Sequence, residues 1–300
     1  MIAADTTHVS FAAERAAVDA ALANFAKTYL CSMHGPVADA VSYSMLGEGK
    51  RLRAILLMAA YRAAGGTGDA SALGAAVEVV HAYSLVHDDL PCMDDDDMRR
   101  GRPTVHRAHG LAAATAAGLG MVPLAARAAT DAAQALGLDA ARTGEIVREL
   151  MRASGAGGMI GGQLLDLEGE GRPLSLAELE RVHRMKTGAL IDASVRIGGL
   201  AAIAGEEILR AFERYGSAVG LAFQIADDVL DVTSTTDELG KTAGRDAALG
   251  KSTYPALLGL EGARARAEKL CEEACVSLRE AGIRSAQLEA LARFVVDRRS

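Results

Sequence analysis

Two groups of aspartates carry most of the chemistry this chain can do. The first, Asp88-Asp89 followed by Asp94-Asp95-Asp96-Asp97, puts six carboxylates into ten positions. Two like charges ~6 Å apart repel by roughly 3 kcal/mol at an effective dielectric of 20, so such a run needs either full hydration or cations. Alone, it would read as a solvated acidic loop. The second group shifts that balance. In Phe223-Gln224-Ile225-Ala226-Asp227-Asp228-Val229-Leu230-Asp231, a helical rotation of about 100° per residue brings Asp231 within roughly 40° of Asp227, one turn along. The neighbours are apolar, so these are acids on a helix heading into a core. Buried carboxylates without partners cost several kcal/mol each or must protonate. Hard divalent cations supply the missing partner.

On a continuous helix Asp94 would point about 120° away from Asp88. Pro91 disfavours helical geometry at Leu90 and lets the chain turn, which brings Asp94 back beside Asp88. Neither segment has the alternating ligands, central Gly and distal Glu of an EF-hand loop. Few protein ligands per ion suit Mg²⁺ completed by water and phosphate oxygens.

Helices must position these groups. Half of the 300 residues are hydrophobic and 4% aromatic, with six Pro, no Trp and frequent Ala and Leu, a composition that favours helix over sandwich or barrel. Apolar residues recur at helical spacing in Leu52, Ile55, Leu56, Ala59; in Ala76, Val79, Val80, Tyr83; and in Val219, Phe223, Ala226, Leu230, each reading as one buried stripe. Breaks fall at Gly35-Pro36, Gly65-Gly66, Pro91, Gly101 to Pro103, Gly169 to Pro173 and Leu239 to Gly250, leaving about ten helices and no convincing strand. The expected fold is all-α, a helical bundle around a deep central cavity. It forms a single domain over residues 1–300, with 1–30 its N-terminal helical segment.

A net charge of −7 opposes generic attraction to nucleic acid or an anionic membrane. Met1 to Arg15 lacks a secretory pattern. The longest uncharged stretch, Gly110 to Ala126, is short of the ~20 apolar residues of a spanning helix and contains Pro123. The expectations are therefore no membrane span and a cytoplasmic location. Cys31, Cys92, Cys271 and Cys275 have neither the density of a disulfide scaffold nor zinc spacing. Gly155 to Gly162 lacks the Gly-Lys-Ser/Thr of a phosphate loop; close helix packing explains those glycines, with Gln163 and Asp166 toward the cavity.

Several ordered motifs together resemble the short-chain trans-isoprenyl diphosphate synthases, most closely the bacterial farnesyl diphosphate synthase group. They are Gly49-Lys50-Arg51-Leu52-Arg53, His81 to Asp89, Asp94 to Arg100, Gly162-Gln163, Lys186-Thr187-Gly188, Phe223 to Asp231, Gly240-Lys241 and Gly250 to Pro255. The resemblance implies an all-α prenyltransferase, usually a homodimer, with the two Asp-rich motifs opposed across the cavity. Three Mg²⁺ would bridge them to an allylic diphosphate. Asp88, Asp94 and Asp227 are then the best metal ligands, with Asp89, Asp228 and Asp231 ligating or orienting from behind. Asp95, Asp96 and Asp97 are left to hydration or to Arg99, Arg100 and Arg102.

By the same resemblance, Arg99, Lys186, Lys241 and Lys251 stabilise the pyrophosphate that leaves dimethylallyl or geranyl diphosphate. Thr187 and Gln224 lend oxygen dipoles to the allylic cation. Lys50, Arg53, His81 and Arg100 hold the diphosphate of isopentenyl diphosphate in a metal-free pocket. Released pyrophosphate removes the final proton. Without that constellation, Lys50 to Arg53 would be a solvated helix start, His81 a core residue, and Lys186 and Lys241 surface charges. Ala54 stands where the family commonly has Pro, and Gly49 stands alone where a glycine pair is frequent.

Product length in the family follows the bulk of side chains about a turn before the first Asp motif, here Tyr83 and Ser84. An aromatic ring at that depth implies farnesyl diphosphate. Geranylgeranyl diphosphate is the first alternative. A terpene cyclase would not need the Lys50/Arg53 pocket, and a regulatory subunit would be expected to lose ligands. Arg298 and Arg299 are open candidates for folding over the isopentenyl site.

Overall fold

A computed structural model describes residues 11–31, 33, 35–233 and 250–297. The described residues are built almost wholly from α-helices: α1 (Ala12–Tyr29), α2 (Pro36–Met45), α3 (Leu52–Ala63), α4 (Ser71–Asp88), α5 (Val105–His109), α6 (Leu111–Ala135), α7 (Ala140–Ser154), α8 (Met159–Gly169), α9 (Leu176–His183), α10 (Ala189–Ala201), α11 (Glu206–Thr233), α12 (Tyr254–Glu280) and α13 (Ala286–Asp297). A π-turn, Arg184–Gly188, joins α9 to α10.

The expected breaks at Gly35-Pro36, Gly65-Gly66, Pro91 and Gly169 to Pro173 separate helices; Pro36 sits at the first turn of α2, where its missing N–H costs nothing. Leu239 to Leu249 lies outside the described residues. Two expectations need correction. Met98–Arg99 (β1) pairs antiparallel with Arg102–Pro103 (β2) through a tight turn at Arg100 and Gly101, both with positive φ. A hairpin of two-residue strands is too short to leave an alternating pattern. The single buried stripes also understate the burial of α3 and α4. From Leu52 to Tyr61 all but Arg53 are buried, and α4 is buried from Ser71 to Val86 except at Ala72, His81 and Leu85, as befits helices packed on both sides.

Two apolar clusters explain this. One holds Val79, Val80, Met121, Ile146 and Leu150 of α4, α6 and α7. The other holds Phe212, Tyr215, Leu221, Leu270 and Leu278 of α11 and α12. α3 and α10 lie between them: Leu57 and Ile197 join the first cluster, Ile55 and Val195 the second. α6 continues through Pro123 to Ala135, so it is longer than its uncharged stretch. By length and composition it could cross a membrane, with mean hydropathy 1.4 over its best window. Pro123 is exposed, so the bond it cannot make is left to solvent.

Candidate active site

One cavity of about 700 Å³ opens between α3, α4, α8, the π-turn, α11 and the start of α12. α4 delivers Asp88 at its last residue, and Pro91 stops the helix from continuing. The chain then folds back, with Asp94 N donating to Asp88 O at 2.9 Å and Asp96 N to Asp89 O at 3.2 Å. These bonds satisfy carbonyls that a helix end leaves open. Asp88, Asp94 and Asp96 thereby reach the cavity wall, as do Gln224, Asp227 and Asp228 of α11.

Two predicted ligands stand elsewhere. Asp89 is buried and off the cavity wall: it accepts from Arg99 Nε at 2.8 Å and from Arg99 Nη2. Asp231, also buried, is not on the wall either. Asp228 touches the cavity but is already engaged, accepting from Tyr254 N at 2.9 Å with His183 Nε2 at 3.4 Å. Asp89 thus holds Arg99, while Asp228 fixes the first turn of α12. Of the remaining acids, Asp96 pairs with Arg99 at 3.0 Å and Asp97 pairs with Arg107 rather than Arg102; Arg102 lies over the Tyr43 ring at 4.0 Å.

The π-turn carries Lys186 and Thr187 into the cavity, since one extra residue in a turn re-aims the side chains. Gly162 allows α8 to approach: a Cβ there would lie 2.1 Å from Lys186 N. On α8, Asp166 Oδ2 accepts from Lys186 Nζ at 2.7 Å and Lys251 Nζ at 2.8 Å. Lys251 also lies 3.7 Å from Asp94 and 3.4 Å from Glu170. Gln163 is buried but absent from the wall.

The charges follow from these contacts. Burial pushes the Asp88 carboxyl up to about 6, with Asp94 and Asp89 adding to the rise and Lys186 and Arg99 opposing it. Burial works against the Lys186 charge, but Asp166, Asp88 and Asp94 hold its pKa above the ordinary lysine value. Arg99 is likewise held charged by Asp89 against burial.

A second, basic region lines the same cavity: Lys50 and Arg51 before α3, Arg53 on it, His81 on α4 and Arg100 from the hairpin turn. Burial brings Arg53 down to about 10 and pushes His81 well below the ordinary histidine range, with Arg53 and Arg100 adding to the effect. Arg53 Nε and His81 Nδ1 are buried without a hydrogen-bond partner. Arg51 and Glu78 were not among the sequence candidates. Glu78 lies one turn before His81 on the same helix face, and an acid within an apolar helix is the signal that could have found it. Lys241, Arg298 and Arg299 fall outside the described residues.

Ser84 lines the cavity, whereas Tyr83 does not. The Tyr83 ring meets the His87 ring edge-on at 4.6 Å, against α6, where a Cβ on Gly118 would lie 2.3 Å from His87 Nε2.

Residues 35–286 match the polyprenyl synthetase family model. The chain is 48% identical over 268 residues to farnesyl diphosphate synthase of Escherichia coli, covering 88% of this chain and 89% of that protein. It is 44% identical to geranylgeranyl pyrophosphate synthase 9 of Arabidopsis thaliana, covering 79% and 67%. The crystal structure of a geranyltransferase from Helicobacter pylori, complexed with magnesium and isoprenyl diphosphate, superimposes with a TM-score of 0.81 at 30% identity, covering 98% and 97%.

Proposed function

The chain belongs to the polyprenyl synthetase family, and from that premise we propose that it couples isopentenyl diphosphate head-to-tail to dimethylallyl and then geranyl diphosphate, giving farnesyl diphosphate. One observation carries the reading: a single cavity has two chemically different charged regions on its wall, an acidic one with lysines and a basic one in which arginines predominate. A reaction that joins two diphosphate esters needs both.

Magnesium fits the first site. Its donors are carboxylate oxygens, the hard ligands that ion takes, and burial together with crowding by Asp94 raises the Asp88 carboxyl to about 6, a strain that a cation between the acids relieves. Among the described residues no three acids or histidines form a ready-made cage, which suits an ion completed by phosphate and water. Asp88, Asp94 and Asp227 would hold it, with Asp89, Asp228 and Asp231 behind them, and three ions per site is the proposed number. When bound, it neutralises the diphosphate leaving group.

Arg99, Lys186 and Lys251 take up the charge that develops on the departing pyrophosphate, with Lys241 assigned the same role from the sequence. Thr187 and Gln224, both on the cavity wall, would lend their oxygen dipoles to the allylic cation without attacking it. Lys50, Arg53, His81 and Arg100 hold isopentenyl diphosphate so that its double bond attacks. Neutral His81 offers a hydrogen bond to phosphate rather than a charge. The leaving pyrophosphate takes the last proton.

The Tyr83–His87 pair favours farnesyl over geranylgeranyl diphosphate, since two rings close the space between α4 and α6. We further propose a cytoplasmic homodimer, testable by light scattering. Incubation with isopentenyl and dimethylallyl diphosphates and Mg²⁺, followed by chain-length analysis, should give a fifteen-carbon product. Absence of any coupled product would sink the reading.

A further inference from the structure

Glu78 lies on the wall of the same cavity as the basic residues and is 4% exposed. Its Oε1 accepts from Ala54 N at 3.2 Å, and its Oε2 lies 4.0 Å from Arg51 Nη1. Its charge also acts on Arg53 and Arg100. Only Arg51 has a measured approach to that carboxylate, while Arg53, next to Ala54 on α3, and Arg100, from the hairpin, stand on the same cavity wall as Glu78 and feel its charge. Arg51 also donates to Asp19 at 2.8 Å and to Gly47 O at 2.6 Å, and Arg100 Nη1 donates to Glu48 O at 2.5 Å. Arg53 stands apart, with its Nε buried and lacking a hydrogen-bond partner.

Like charges gathered at low dielectric repel. Without a counter-charge beside them, these arginines would move toward water and away from the position an incoming anion needs. Ala54 fixes the counter-charge. Its N–H belongs to the first turn of α3, where amides lack partners within the helix and the dipole favours an anion. A proline at 54 would have no hydrogen to donate.

We infer that Glu78, anchored by the Ala54 amide, is a positioning residue that sets the affinity of the basic pocket for a diphosphate by holding Arg51, Arg53 and Arg100 in place. It touches no reacting atom. The inference rests on the isopentenyl diphosphate reading of that pocket. The competing effect is simple repulsion between Glu78 and the ligand, which predicts the opposite sign when the charge is removed.

Calorimetry of isopentenyl diphosphate binding to the full chain without divalent cation, together with KM for each substrate in Mg²⁺, separates the two. Glu78→Gln keeps the acceptor for Ala54 but loses the charge. It should weaken isopentenyl binding and raise that KM about tenfold, while the allylic KM moves less than about twofold and kcat less than about threefold. Ala54→Pro should shift the same KM in the same direction, and Glu78→Asp should recover part of the loss. Unchanged or tighter isopentenyl binding in Glu78→Gln overturns the inference, as does an equal loss for both substrates. Should that variant not fold, Ala54→Pro decides by the same criterion. Wild-type protein that binds isopentenyl diphosphate but yields no product would count against condensation alone, with the binding comparison still deciding Glu78.

Discussion

Lys251 Nζ donates to Asp166 Oδ2 at 2.8 Å. The same oxygen accepts from Lys186 at 2.7 Å, so one carboxylate ties α8 to the π-turn and to the approach to α12. Burial alone would raise the Asp166 carboxyl, but the two ammonium groups hold it down at about 2. A carboxyl depressed in the fold contributes stability that is present above its ordinary value near 4 and is lost as pH falls through about 2. Asp166→Asn should therefore lower unfolding stability at pH 7 by about 3 kcal/mol, because it strands buried charges. Denaturant titrations should show the gap narrowing at pH 3, and equal stability at pH 7 would refute this account.

Asp88 and Asp227 reach one cavity from α4 and α11. Replacing either with Ala removes an oxygen donor without exposing core, so helicity by circular dichroism should hold while turnover drops by about 10²-fold or more. Excess chelator should also abolish wild-type turnover. Full activity in chelator would contradict the metal role.

How much of this was legible in the sequence depends on whether a side chain works within its own element. Asp227 and Asp231 could be placed on one helix face by rotation alone, and Pro91 announced the turn that brings Asp94 N to Asp88 O. What those rules could not give is what lies opposite. Asp89 looks identical to Asp88 in the sequence, yet the hairpin places Arg99 against it. Asp231 shares a helix face with Asp227 but sits a turn further on, off the cavity wall. Glu78 and Arg51 meet only because α4 packs beside α3. Spacing reports direction along one helix, whereas a partner is fixed by packing between helices.

Tyr83 is 5% exposed and, unlike Ser84, is not on the cavity wall. Its effect on product length must act through the space it fills beside His87. Tyr83→Ala should open a void continuous with the Ser84 side of the cavity, lengthening the product beyond fifteen carbons at a stability cost of about 3 kcal/mol. Chromatography of dephosphorylated products is the measurement. An unchanged profile would assign chain length to other walls.

Asp192 on α10 is not on the cavity wall and has the opposite electrostatics to Asp166. Its Oδ1 is buried without a hydrogen-bond partner. Burial, then Glu149 and Glu213, push its carboxyl up to about 7, against the opposing pull of Arg152 and Arg196. A carboxyl raised in the fold favours the protonated native state, so stability is greatest below about 4, declines as pH rises toward 7, and stays low above it. Asp192→Asn keeps the shape and removes the charge. It should stabilise the protein at pH 8 by about 1–3 kcal/mol, or roughly 2–4 °C in Tm per kcal/mol, and by almost nothing at pH 4. A Tm at pH 8 that is unchanged or lower would mean that Arg152 and Arg196 already compensate the buried charge.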